Sequence, residues 1–325
     1  MTAPLSQSGL LVVIRAAGER TFEACYALLL QQVPPGQIQV VDQRPFEAAL
    51  RSCYELGISS GAEWMMTVDA DVLIRPGAVK DLQGVANALP EQYAAVEGLV
   101  HDKLKGRYRE AGHHLYRVRY LTKALSAVPE DGEEIRPEFA TLQRLSRLGH
   151  PFLKCGTVFG IHDYEQFYRD LYRKAFVHGQ KHPDWVEGVL PRWKREADSD
   201  PDVAVALRGY CDGFQSLTQA RIDTRTYADR AGRTLHELGL REKASLGKDP
   251  ATLALVEALL ANVDSTVGSE AERSMGGRTT EGYRKRGLVV RGLDRLGSLL
   301  NRLGDRIQRR AQGRLLTPRT PPHKT

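Results

Sequence analysis

Apolar residues fall in short unbroken runs through the first half of the chain and at helical spacing through much of the second. Leu10–Ile14 is apolar throughout and rich in β-branched residues, the pattern of a strand buried on both faces. Thr21–Gln32 has helical apolar spacing and stops at Pro34-Pro35-Gly36. Ile38–Val41 predicts a second strand, ending at Asp42. Pro45 stands where a helix through Phe46 to Gly57 would begin, a place that tolerates its missing N–H. Trp64–Val68 predicts a third strand, Pro76-Gly77 opens a helix to about Leu89, and Ala94–Val100 predicts a fourth strand. This alternation predicts an α/β fold with a mostly parallel sheet and helices on both faces.

Residues 101–123 are basic and aromatic and show no clear period. An acidic loop, Pro129–Glu134, precedes a helix over Pro137–Leu148. Gly149-His150-Pro151 then leads into a strand over Phe152–Ile161. From Tyr164 the pattern is helical to about Leu260, broken at Pro183, Pro191 and Pro201. Tyr164, Tyr168, Tyr172 and Phe176 recur in steps of four and so share one helix face, which reads as core packing rather than as a platform for a sugar. The expected organisation is a nucleotide-binding domain over 1–165, a helical extension over 166–264, a Gly/Ser-rich linker over 265–282, a basic amphipathic helix over 283–314 and a disordered tail over 315–325.

Charge sharpens this division. The chain has 325 residues and a net charge of +6, but residues 283–325 alone carry +10, which leaves −4 for the rest. Val289, Leu293, Leu296, Leu300, Leu303 and Ile307 form an apolar stripe whose other face is arginine-rich. Such a helix reads as an anchor on an anionic membrane surface, with a helix–helix contact as the alternative. No apolar run is long enough to span a bilayer. Cys25, Cys53, Cys155 and Cys211 are far apart and lack zinc or redox spacing, which suits a reducing cytoplasm. No nucleic-acid motif is present.

The chemistry concentrates at Val68-Asp69-Ala70-Asp71. Two carboxylates at i and i+2 of an extended segment point to the same side. Held that close, they repel unless a cation lies between them. A hard divalent ion, Mn²⁺ or Mg²⁺, that takes its other ligands from phosphates fits this geometry. Asp71 would be a direct ligand. Asp69 would reach the metal or a ribose. Asp42, at the end of the second predicted strand, would read a nucleoside, or else cap a turn. Arg15, ending the first strand, would face a diphosphate, or else pair with an acid at the surface. Lys103, Lys105 and Arg107 lie in the basic segment as contacts for an anionic acceptor, or as a solvated loop.

In order along the chain, these residues resemble family-2 glycosyltransferases of the GT-A, Rossmann-like fold. Val12–Arg15 with Glu19 and Arg20 matches the first strand and nucleotide loop. Asp69-Ala70-Asp71 matches the DxD metal motif. Glu138, followed by Leu142, Arg144, Leu145 and Gly149, resembles the helix that begins with the catalytic acid, although here the motif reads Pro137-Glu138-Phe139. Val158-Phe159-Gly160-Ile161-His162 resembles the closing strand. The resemblance implies donor contacts at Arg15, Glu19, Asp42 and Asp69. It implies metal ligands at Asp69, Asp71 and His162, with Asp163 as an alternative oxygen ligand. A general base is expected at Glu138, with Asp102 as the rival. It also implies a nucleotide-sugar donor and inversion at the sugar carbon, and together with the basic helix it leads to the expectation of a glycan or lipid-linked acceptor at the inner membrane face. Two other readings stand beside it. A sugar nucleotidyltransferase would share the strand order but normally carries a Gly-rich loop that Arg15–Arg20 does not supply. A non-catalytic, membrane-recruited scaffold would keep the fold without the chemistry.

Overall fold

The computed structural model describes residues 9–182, 185–217, 220 and 227–264. The described residues all belong to one compact unit. The predicted linker, amphipathic helix and tail all lie outside the described residues.

The first half alternates as its apolar pattern predicts. Strand β1 (Leu10–Arg15) is followed by α1 (Phe22–Leu30), β2 (Ile38–Val41), α2 (Phe46–Ser59) and β3 (Trp64–Asp69). These three strands are parallel, with Arg15 in register with both Val41 and Asp69. Their carboxyl ends therefore form one edge. Next come β4 (Val72–Ile74), α3 (Ala78–Asn87) and β5 (Ala95–Asp102). β6 (Arg107–Arg109) and β7 (His113–Arg117) follow in the basic segment that showed no period. The short α4 (Leu121–Ser126) and α5 (Pro137–Arg147) lead to β8 (Phe152–His162).

Among the described residues the strands form one eight-stranded sheet, in the order β2-β1-β3-β7-β5-β8-β4 with β6 on β5. The β1–β2, β1–β3 and β5–β8 pairs are parallel. The pairs made by β4, β6 and β7 are antiparallel, so the sheet is mixed. Side chains of β1 alternate between two cores. Leu10, Val12 and Ile14 pack with residues of α1 and α3, while Leu11 and Val13 pack with residues of α2, α4 and α5. An unbroken apolar strand is what a sheet covered on both faces requires.

A third core lies in the helical region, built from α6 (Tyr168–Lys181), α7 (Trp185–Gly188), α8 (Leu190–Glu196), α9 (Pro201–Gln215) and α10 (Ala228–Glu237). The last described helix, α11 (Pro250–Asp264), returns to the sheet layer through Val256 and Leu260. Tyr168, Tyr172 and Phe176 are buried in the helical core. Tyr164 falls outside α6, and its hydroxyl lies 2.8 Å from Nδ1 of His101. The helix starts late because Asp163 and Glu165 have positive φ, 65° and 54°. The carboxylate of Glu242 then caps α6, accepting from the N–H groups of Tyr168 at 2.8 Å and Arg169 at 3.0 Å. A negative charge at that end also complements the helix dipole.

Helices α6 and α9 meet backbone to backbone. A Cβ on Gly213 would stand 2.0 Å from the Phe176 carbonyl oxygen, one on Gly209 2.5 Å from that of Tyr172, and one on Gly179 2.4 Å from that of Tyr210. Backbone cannot yield as a flexible side chain can. Gly213→Ala should therefore cost about 1–3 kcal/mol, the usual range for overpacking, while Gly188→Ala, where a Cβ meets open space, should cost far less. Chemical denaturation of the two variants measures the difference.

Candidate active site

The strand register explains which side chains meet at the edge. Arg15 and Asp69 end neighbouring strands, and the Arg15 Nε donates to Asp69 Oδ1 at 2.7 Å. Across β8, His162 is in register with Val72 on one side and Asp102 on the other. Asp71, the residue before Val72, thereby reaches the same histidine. Nε2 of His162 lies 3.5 Å from Asp71 Oδ1, and its Nδ1 lies 3.3 Å from Asp102 Oδ2 and 3.0 Å from Asp163 Oδ2. Asp163 has a left-handed backbone, φ 65°, and its carboxylate sits at the Nδ1 side of the ring. Behind this group, the Thr21 hydroxyl donates to the Ala70 carbonyl at 2.8 Å and is itself held by the Gln166 amide at 2.9 Å. This fixes the Asp-Ala-Asp turn from within the core.

Three acids around one histidine need compensating charge. Lys174, on α6, supplies it by hydrogen-bonding to both Asp71 and Asp163. Arg109, on β6, bonds Asp102. Burial raises the cost of every charge here, but the cations prevail. Lys174 and His162 hold the Asp71 carboxyl well below the usual range. The His162 imidazole, despite burial, is pushed up to about 9 by Asp163 and Asp71. Asp69 behaves differently. Its side chain keeps 28% exposure, and its carboxyl is raised to about 6, by burial first and by repulsion from Asp71, against the pull of Arg15. Glu19, whose Oε2 accepts from the Ala17 N–H at 2.6 Å, is raised to about 7 by burial and by Asp71.

Ligand atoms of Asp71, His162 and Asp163 all lie within 4.8 Å of one another. Asp71 Oδ1 is buried and accepts no hydrogen bond. An orphaned carboxylate oxygen beside a carboxylate and an imidazole fits a hard or borderline divalent cation. Asp69 stands apart from this group, held by Arg15.

Glu138 and Asp102 both sit in ion networks. Glu138 accepts from Tyr116 at 2.7 Å, pairs with Arg15 Nη1 at 2.8 Å and lies 3.2 Å from His114 Nδ1. Arg15 and His114 outweigh burial and hold the Glu138 carboxyl well below its usual range. Asp102 is 1% exposed and bonds Arg109. Arg109 and His162 outweigh its burial in the same way. Asp42 is exposed at the end of β2, outside these networks. Lys103 pairs with Asp202 and Asp200 of the helical region. Sequence reasoning missed Lys174, Arg109 and Gly112. The last (φ 70°) leaves no room for a Cβ beside Val72 and His162, and its carbonyl accepts from the Asp69 N–H at 2.7 Å. A glycine between two basic, aromatic stretches was its only signal.

No family profile matches this sequence, and no curated protein matches it. Among solved structures, the chain is similar to a mannosyltransferase from Pyrobaculum calidifontis in complex with GDP-mannose and Mn²⁺ (11% identity, 83% of this chain and 84% of that one, TM-score 0.37). It is also similar to a 4-diphosphocytidyl-2C-methyl-D-erythritol synthase from Anaerococcus prevotii (9% identity, 49% and 90%, TM-score 0.37). A third is a glycosyltransferase involved in glycosylation of the major capsid of PBCV-1 (12% identity, 45% and 80%, TM-score 0.33). Likenesses this distant assign no activity.

Adjacent histidines on β7 take opposite charge states. His113 is stacked on Phe159 at 4.2 Å, and burial pushes it down to about 4. His114 is also buried, but Glu138 and Glu97 push it up to about 10. A group whose pKa is raised on folding contributes stability that is complete below its unfolded value, about 6.5, and disappears as pH rises through the folded one. The share of stability that His114 contributes should therefore decline between about pH 6.5 and 10. His114→Gln should flatten that decline relative to wild type, as measured by Tm across the window. Equal slopes in the two proteins would contradict the ion pairing.

Proposed function

We propose that the chain is a metal-assisted glycosyltransferase that moves a sugar from a nucleotide diphosphate donor to a hydroxyl of a glycan or lipid-linked acceptor. The observation that carries this reading is the convergence of Asp71, His162 and Asp163 at the carboxyl edge of the sheet, with one buried Asp71 oxygen that accepts no hydrogen bond and has the His162 ring 3.5 Å away. Ligands of open α/β sheets bind at that edge. Asp71, His162 and Asp163 would hold Mn²⁺ or Mg²⁺, whose chemistry there is to neutralise the charge that grows on a departing diphosphate. The other residues serve binding. Asp69, the more open carboxylate, faces the nucleoside or ribose together with Asp42. Glu19 and Arg15 line the approach from the first loop, and Arg15 is kept in place by Asp69 and Glu138. Lys174 stands by as a second cation for the diphosphate.

The acceptor hydroxyl needs a proton acceptor, and we assign that role to Glu138, with Asp102 as the rival. Each must give up part of a cation contact to act. In donor turnover assays, Asp71→Asn and Asp69→Asn should each remove most activity while circular dichroism shows an intact fold. Unchanged turnover after EDTA treatment would sink the metal reading. Glu138→Gln should lower kcat by about 10² or more with a much smaller effect on nucleotide affinity, since Asp69 still holds Arg15. A dead Asp102→Asn beside an active Glu138→Gln would transfer the role. Because Glu138 partners a buried arginine, its variants also need a Tm measurement. Breaking such a pair costs about 3–5 kcal/mol.

We further propose that residues 283–314 bring the enzyme to the cytoplasmic membrane face. The support is their net charge and apolar stripe, attached to a body of opposite charge. Deleting residues 283–325 should release the protein from phosphatidylglycerol vesicles, and salt should weaken binding of the full chain, since screening acts beyond about 8 Å at physiological ionic strength. A truncated protein that still sediments with vesicles, or a full-length dimer that truncation dissolves, would replace the membrane by a partner helix.

A further inference from the structure

Lys174 holds the carboxylates that a divalent ion would need. Its ammonium hydrogen-bonds to Asp71 Oδ2 and Asp163 Oδ1. The other oxygen of each carboxylate faces His162, with Asp71 Oδ1 3.5 Å from Nε2 and Asp163 Oδ2 3.0 Å from Nδ1. Each acid thus gives one oxygen to the lysine and one to the histidine. Both acids are buried, and the lysine side chain is 16% exposed.

Among the described residues, the group of side chains able to hold a metal is this same set, Asp71, His162 and Asp163. Ion and lysine therefore compete for both carboxylates. An ion bound only through the oxygens that face His162 would still stand across a single carboxyl group from the ammonium. Like charges that close repel strongly in a buried setting. Lys174 has to leave before the ion is held tightly.

Leaving is costly without a new partner, because the charge stays tied to α6. The other acids that feel it are Glu19 and Asp170. Glu19 already accepts from the Ala17 N–H at 2.6 Å, and Asp170 lies 3.7 Å from Arg173 Nη2. Neither replaces the two bonds that are lost. A diphosphate does, since its anionic oxygens take a lysine as a point charge.

We propose that Lys174 is a resident counter-ion that keeps divalent ions off Asp71, His162 and Asp163 until a diphosphate takes up its ammonium, so that metal and nucleotide enter together. The inference rests on the glycosyl-transfer reading, which supplies the diphosphate. Lys174 then has two partners in turn, the carboxylates first and the diphosphate afterwards. The coupling is reciprocal: whatever factor the nucleotide adds to the affinity for the ion, the ion adds to the affinity for the nucleotide.

The test begins with Mn²⁺ binding to the full-length protein in the absence of nucleotide, followed by electron paramagnetic resonance of the free ion. Lys174→Met and Lys174→Gln should each bind Mn²⁺ at least tenfold tighter than wild type. Lys174→Arg, which keeps the charge, should bind no tighter than wild type. Thermal unfolding gives an independent readout. Mn²⁺ alone should raise Tm little in wild type and clearly in the two neutral variants. In wild type, Mn²⁺ together with a nucleoside diphosphate, tried as UDP, GDP, ADP and CDP, should raise Tm by more than the sum of the separate shifts. A neutral variant that unfolds in EDTA and refolds with Mn²⁺ would support the exchange, because the ion then stands in for the lost charge. Mn²⁺ affinity in the neutral variants equal to or below that of wild type would overturn the proposal. So would neutral variants that stay unfolded in excess Mn²⁺, which would make the lysine structural. If wild type still responds to Mn²⁺ with a diphosphate in those cases, the glycosyl-transfer reading stands and only the role of Lys174 falls. If no diphosphate shifts the Tm of any of these proteins, with or without Mn²⁺, the glycosyl-transfer reading itself falls and the exchange falls with it.

Discussion

Negative charge crowded at strand ends is the constraint on which the rest of this site depends. Asp71, Asp102 and Asp163 surround His162, and each would be intolerable in a buried setting without a cation. Lys174, Arg109 and a protonated His162 meet that need. A short distance away, Arg15 stands between Asp69 and Glu138, and His114 between Glu138 and Glu97. The sheet topology makes the crowding unavoidable. Parallel β1 and β3 end side by side, and β8 enters between β4 and β5 with His162 at the shared edge. The Lys174 ammonium and the His162 proton together carry the charge of one divalent ion. The site is thus electrically closed as it stands. A metal on Asp71, His162 and Asp163 would displace the His162 proton and release the Lys174 ammonium from the carboxylates it now bonds.

Much of the fold was legible in the sequence where burial made the pattern simple. β1, β2, β3, β5 and β8 fall on apolar runs, and the helices between them open at proline or close at glycine-containing turns. Strands β6 and β7, each antiparallel to β5, were not legible. The buried positions of β7 include His113, His114 and Arg117, and polar residues inside a sheet defeat a reading that equates polar with exposed. These two strands make most of the antiparallel pairings of the mixed sheet, and β4 adds one on β8. β7 separates β3 from β5, which the simple strand–helix alternation would have placed together.

Legibility of the site followed the same rule. Asp69, Asp71 and His162 stand at strand ends, where position alone suggests chemistry, and the structure brings Asp71 and His162 together. Asp69 and Asp71 were read as one pair, yet the structure gives them different partners, Arg15 for one and Lys174 for the other. No sequence spacing foretells that, because Lys174 lies 103 residues from Asp71. Glu138 looked like a helix-starting acid, and it is also the hub of a buried hydrogen-bond network. Its partners Tyr116 and His114 come from the strand that the pattern did not reveal.

The glycine contacts between α6 and α9 also govern what can move around the carboxylates. Where two helices touch through their backbones, neither can slide or roll without collision, so α6 is a fixed rod rather than an adjustable arm. Lys174 is rooted on that rod, and its ammonium reaches Asp71 and Asp163 on a flexible four-carbon stem. Any rearrangement of charge there passes through side-chain rotation, with the backbone as a stationary frame.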